Sequence, residues 1–112
     1  MRTEFLSDAS ELERRLASGT WLLFKHSPIC PVSARARQEL ERFLTARPDV
    51  PSALVDVLAA RPLSQLVAAH SGVRHESPQA LVLRDGKAAW GASHFAITAD
   101  EVGAALAVSA RG

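Results

Sequence analysis

Phe24-Lys25-His26-Ser27-Pro28-Ile29-Cys30-Pro31-Val32-Ser33 decides how the rest of this 112-residue chain is read. The apolar run Trp21-Leu22-Leu23-Phe24 leads into it, and a helical pattern leads out. Cys30, the only cysteine in the chain, stands at the junction. A residue there lies beside the first N–H groups of a helix, which lack intrahelical acceptors, and at the positive end of the helix dipole. Both favour the thiolate over the thiol, and the thiolate is the nucleophilic form of cysteine. Pro31 strengthens the placement, because proline at the first helical position loses no hydrogen bond and has a φ suited to the helix. The stretch predicts a strand, then Cys30 as N-cap, then a helix.

Composition narrows the possibilities. A chain of this length forms one domain, residues 1–112, with a single core. Apolar residues make up 47% of it and the mean hydropathy is close to zero, which argues against disorder. The apolar runs are far shorter than a membrane span. A net charge of +1 gives no electrostatic reason to expect nucleic acid or an anionic membrane as partner. Glu4, Asp8, Glu11 and Glu13 crowd the start without the apolar core of a signal peptide, so a cytoplasmic location is expected. One cysteine can neither close an intrachain disulfide nor supply a multi-cysteine zinc site. The four histidines, His26, His70, His75 and His94, follow no recognised ligand spacing. Neither a metal site nor a bound cofactor is expected.

Working outward, Trp21–Lys25 suits a strand buried on both faces, ending in a charge that reaches solvent. Upstream, Phe5-Leu6 reads as a short edge strand or a lead-in. Ser7 or Asp8 can cap a helix over Ser10–Ser18, in which Leu12 and Leu16 share a face and which stops at Gly19. Downstream, a helix from Pro31 to about Ala46 carries Leu40, Phe43 and Leu44 on one side and ends before Pro48. Val50–Leu58 reads as a second buried strand, interrupted by Asp56. Pro62 opens a helix that closes at Ser71-Gly72. A polar crossing, Gly72–Pro78, leads to a strand Gln79–Leu83. Asp85-Gly86 is a hairpin signal, and Lys87–Ala92 is the returning strand. Thr98 and Glu101 form a capping box for a last helix, Ala99–Val108. Strands joined through helices are expected to run parallel, with one antiparallel pair added by the hairpin. The outcome is an α/β fold, a mixed four- to five-stranded sheet with helices on both faces. A cysteine between an early strand and helix, then an X-Pro step before a hairpin, is the order of a thioredoxin-like three-layer sandwich.

FKHSPICPVS, GVRHESPQALVLRDGK and WGASHFAIT, in that order and at that spacing, resemble the monothiol bacilliredoxins, the YtxJ-like proteins of bacillithiol-using bacteria. The resemblance spans roughly Trp21 to Val102, and the segments are specific in combination. It implies a thioredoxin-like fold, a nucleophile at Cys30 and a cis proline at Pro78. It also implies pocket residues around His26, Ser33, Ser77 and His94. The activity implied is removal of bacillithiol from protein mixed disulfides, with bacillithiol as co-substrate and S-bacillithiolated client proteins as partners. Arg35 and Arg37 depart from the small or neutral residues expected in the first turns of the helix.

The residues carry alternatives of their own. Cys30 is either reactive or a small buried apolar side chain. Ser33 stands where dithiol enzymes keep a resolving thiol, and a serine cannot resolve a disulfide. It either donates a hydrogen bond to the Cys30 sulfur or bonds to backbone as an early-helix serine. His26 either lies near the sulfur, lowering its pKa or donating a proton to a leaving thiolate, or simply ends a strand. Ser77-Pro78 is either an ordinary turn or a cis peptide facing Cys30, exposing the Ser77 backbone to an extended substrate. Trp21 and Trp90 are expected in the core, His75 and Glu76 in water, and Asp56 at a solvent-facing strand end. Two rival functions remain open at this point. One is a thioredoxin-like binding module with an inert cysteine. The other is a glutathione-dependent monothiol glutaredoxin, for which the charge-rich glutathione-binding loops are not evident.

Overall fold

The computed structural model describes residues 4–111. Its elements run β1 Glu4–Phe5, α1 Ala9–Ala17, β2 Thr20–His26, α2 Pro31–Ala46, β3 Ser52–Asp56, α3 Arg61–Ser71, β4 Gln79–Arg84, β5 Lys87–Ser93, a short 3₁₀ turn His94–Ala96, and α4 Ala99–Arg111. The strands form one sheet in the order β1-β3-β2-β4-β5. β1 and β2 both pair with β3 in parallel. β4 runs antiparallel to β2, and β5 antiparallel to β4.

Alternation along β2 sorts the core into two layers. Leu22 and Phe24 face one side with Leu54, Ala80 and Val82, beneath Ala36, Leu40 and Phe43 of α2 and Val102 and Ala105 of α4. Leu23 faces the other side with Ala53, Val55, Leu81 and Leu83, beneath Leu12 and Leu16 of α1 and Leu63 and Val67 of α3. Each leucine, valine or phenylalanine among them contributes about 1.5–3 kcal/mol by leaving water. The domain is the expected three-layer α/β sandwich, with five strands once the two-residue edge β1 is counted.

Local chemistry sets the boundaries. Asp8, not Ser7, caps α1, its Oδ1 accepting the Glu11 N–H at 2.9 Å. Thr98 Oγ1 accepts the Glu101 N–H at 3.2 Å, and Glu39 of α2 accepts the Ala99 N–H at 3.0 Å, so α4 is capped by its own sequence and by its neighbour. Asp85 and Gly86 both have positive φ, 49° and 83°, as a type I′ turn requires. The turn is tied down at Gly19, whose N–H donates to Asp85 Oδ1 at 2.8 Å and whose carbonyl accepts the Asp85 N–H at 2.9 Å. β3 is shorter than Val50–Leu58. The Val57 N–H still donates to the His26 carbonyl at 3.0 Å, and Asp56 Oδ1 then takes the Leu58 and Ala59 N–H groups, turning the chain away from the sheet.

One expectation is corrected. β3 and β4 are joined through α3 yet are not parallel, since β4 opposes β2 and β2 is parallel to β3. The cause lies in Gly72–Pro78. α3 has 11 residues and carries the chain about 16 Å down the sheet. Gly72, in the left-handed region at φ 79°, ends it. A non-helical segment of this length can span about 23 Å, enough to return to the end where β3 finished. β4 therefore starts beside the end of β2. Among the described residues no helix is long and apolar enough to cross a membrane.

Candidate active site

β2 ends at His26, and the Cys30 N–H donates to the Ser27 carbonyl at 3.2 Å, closing a turn over Ser27-Pro28-Ile29. Cys30 keeps an extended backbone (φ −104°, ψ 120°) while its carbonyl accepts the Ala34 N–H at 3.1 Å. That is the N-cap position, with Pro31 following as the first helical residue. The side chain makes no capping hydrogen bond and is partly exposed. The sulfur is thus held beside the helix N-terminus without being spent on it.

Ser33, fully buried, faces away from that chemistry. Its Oγ accepts the Ser27 N–H at 2.9 Å and lies 2.8 Å from His26 Nδ1. The Ser33 hydroxyl thus ties the Ser27 backbone to the His26 ring. Burial lowers the His26 pKa, with Arg37 adding to the effect and Asp56 opposing it. Burial therefore favours the uncharged ring. This works against His26 as a cation beside the sulfur, and the Ser33 hydroxyl bonds to Ser27 and His26 where a bond to Cys30 was one of the two expectations. Together the two side chains lock the turn that presents Cys30.

Register places the remaining residues. Lys25 pairs with Gln79, and Gln79 with Ser93. Ser77-Pro78 and His94 therefore lie just beyond the strand ends at the end of the sheet that carries His26 and Cys30. The Ser77–Pro78 peptide bond is cis, and Pro78 is fully buried. The Pro78 carbonyl accepts the His94 N–H at 3.1 Å, and His94 itself has φ 55°. All of His26, Cys30, Ser33, Ser77, Pro78 and His94 thus gather at one end of the domain. Ile29 and Phe95 stand out of the surface there, 79% and 67% exposed, and Arg35 lies over the Phe95 ring at 5.9 Å. Ile29 was not singled out from the sequence, although it adjoins Cys30.

Other assignments moved too. Lys25 does not reach solvent. It is fully buried, and its Nζ lies 3.1 Å from His75 Nδ1. The signal was its parity with Leu23, which puts both on the face covered by α3, but the charge argued for a strand end. Asp56 caps the turn after β3 rather than only facing water. Trp21 and Trp90 are half-buried at the rim of the core.

The family model of the monothiol bacilliredoxin BrxC matches residues 4–102. Among solved structures, a thioredoxin-fold protein described as a candidate oxidoreductase is 30% identical, with 93% of each chain covered and a TM-score of 0.85. Thioredoxin from Trypanosoma brucei brucei superposes with a TM-score of 0.79 at 12% identity, covering 100% of this chain and 98% of its own. Mitochondrial thioredoxin 3 from Saccharomyces cerevisiae gives 0.71 at 13% identity, with 91% of each covered. At those identities the two thioredoxins speak for the fold alone.

Proposed function

This chain belongs to the monothiol bacilliredoxin family, and from that premise we propose that it removes bacillithiol from protein mixed disulfides through the Cys30 thiolate. The thiol redox function comes with the family and the fold. The choice of bacillithiol, and of S-bacillithiolated proteins as clients, is the finer reading. That choice rests on the family alone, while exchange through Cys30 is supported best by its setting, a lone, partly exposed cysteine at the N-cap of α2, at the sheet end where Pro78 and His94 meet.

In the first step the Cys30 thiolate attacks the bacillithiol sulfur of a client–bacillithiol disulfide. A Cys30–bacillithiol bond forms, the mixed disulfide breaks, and the client thiolate leaves and takes a proton from water. In the second step a thiolate from a second bacillithiol attacks the bacillithiol sulfur on Cys30. Bacillithiol disulfide is released and the Cys30 thiolate is restored. With no second cysteine, Cys30 cannot be resolved within the chain, and an external thiol or reductase must complete the cycle. The backbone of Ser77 is our choice for the edge that pairs with an extended client segment. We assign the cycle to the cytoplasm, where free thiols keep proteins reduced.

The test is release of bacillithiol from an S-bacillithiolated client, followed with the wild type and with Cys30→Ser. The variant is expected to fall to the uncatalysed rate and to keep its circular dichroism spectrum, because no structural bond depends on the sulfur. A variant that still releases the thiol, or one that unfolds, overturns the assignment.

A further inference from the structure

A cavity of about 390 Å³ lies on the α3 side of the sheet, lined by Val57, Leu58, Arg61, Ser64, Gln65 and His75. It begins where β3 ends, and His75 precedes the cis Pro78 by three residues, so it opens at the same end of the domain as Cys30. Its volume suits a small organic molecule. Its lining contains a guanidinium, an imidazole and a hydroxyl, and no carboxylate.

Three observations define what it would hold. Ser64 is 1% exposed, yet its Oγ has no hydrogen-bond partner. A buried hydroxyl left in that state costs about 1–3 kcal/mol, and a ligand acceptor would satisfy it. Lys25 lies behind His75 with its Nζ 3.1 Å from Nδ1. An ammonium has only donors, so Nδ1 accepts and the ring proton sits on Nε2, the remaining donor. The His75 pKa is lowered by burial first, then by Lys25 and Arg61, with Glu76 opposing. Positive charge therefore converges on His75 from two sides. The opposing Glu76 is itself engaged by Ser93 Oγ. The N-terminus of the 11-residue α3 adds its partial positive charge.

We propose that this cavity binds a carboxylate of the low-molecular-weight thiol, received by the Arg61 guanidinium, the Ser64 hydroxyl and the His75 Nε2–H. The inference rests on the function proposed above and adds a recognition site to it. The planar Arg61 fork matches a carboxylate, and Lys25 acts through His75 by fixing its tautomer.

Titration of the intact protein with succinate, a dicarboxylate without a thiol, is followed on the ring resonances of His75. A saturable shift is expected, with affinity about tenfold weaker in Arg61→Ala. No shift, or a shift that Arg61→Ala leaves unchanged, overturns the cavity as an anion site whatever Cys30 does. A second arm compares Cys30 exchange with bacillithiol disulfide, which carries carboxylates, and with hydroxyethyl disulfide, which carries none. Arg61→Ala is expected to lower the ratio of the two rates about tenfold. A ratio equal to that of the wild type overturns the assignment of the carboxylate to the small thiol. A wild type that reacts with neither disulfide would overturn the proposed function instead, and the succinate titration would still decide the cavity.

Discussion

At Ser33 two buried polar groups depend on one hydroxyl, the Ser27 N–H and His26 Nδ1. Ser33→Ala leaves both without partners, and the expected cost is about 1–3 kcal/mol, read as a lower urea midpoint. An unchanged midpoint would mean that the turn before Cys30 does not need this bond. Lys25 is the opposite case, a charge whose burial lowers its pKa from 10.5 to about 8. Between those values the unfolded chain holds the proton and the folded chain does not, so stability rises with pH across that window. Below it the fold carries a penalty of about 3 kcal/mol from this shift. Lys25→Met is therefore expected to be about 1–3 kcal/mol more stable than the wild type at neutral pH. That advantage should shrink as pH rises from 8 to 10.5, checked by urea unfolding at both ends of the window. A gain that does not depend on pH would contradict the assignment. The residue types at both positions were plain in the sequence, but their directions were not. Ser33 is three residues from Cys30, yet its hydroxyl points to the strand, and Lys25 ends an apolar run, yet its amine turns inward.

Elements were the most legible level, because apolar period, caps and turn residues agreed with one another. α2 has the bounds that Pro31 and Pro48 suggested, and the capping role of Thr98 was visible from its spacing to Glu101. The hairpin was equally clear from Asp85-Gly86, and it is more tightly constrained than its sequence reveals. Gly86 has φ 83°, and a Cβ there would stand 2.7 Å from the Leu16 carbonyl oxygen. Gly86→Ala is thus expected to lose about 1–3 kcal/mol, from unfavourable backbone and from displacement of α1. A thermal midpoint equal to that of the wild type would show that the turn yields without loss. The direction of β4 was not legible. It depends on how far Gly72–Pro78 travels, and the turn chemistry of its residues does not encode distance. The 3₁₀ turn His94–Ala96 was missed for a related reason, since the Pro78 carbonyl that holds His94 is remote in sequence.

Across the whole molecule, the sheet divides two kinds of work. The α2 face carries the larger aromatic core and aims Cys30 outward from its first turn. The α3 face carries the buried Lys25, its exposed partner His75 and the cavity beside them. Both meet at the end of the sheet where β2 and β3 finish and β4 begins. The gathering of His26, Cys30, Ser33, Ser77, Pro78 and His94 there depends on β4 running antiparallel to β2, which the rule for strands joined through helices did not predict and the resemblance to a thioredoxin-like fold implied. Chemistry among those residues was less legible, because register sets neighbourhood while hydrogen bonds set roles. The account turns on Cys30 as a nucleophile that accepts a small thiol, and on which thiol it accepts. The most direct measurement is the intact mass of the protein after separate incubation with bacillithiol disulfide and glutathione disulfide. The account predicts one added bacillithiol, removed by free bacillithiol, absent in Cys30→Ser, and formed in preference to any glutathione adduct. An unmodified mass with both disulfides, or equal modification by the two, would contradict it.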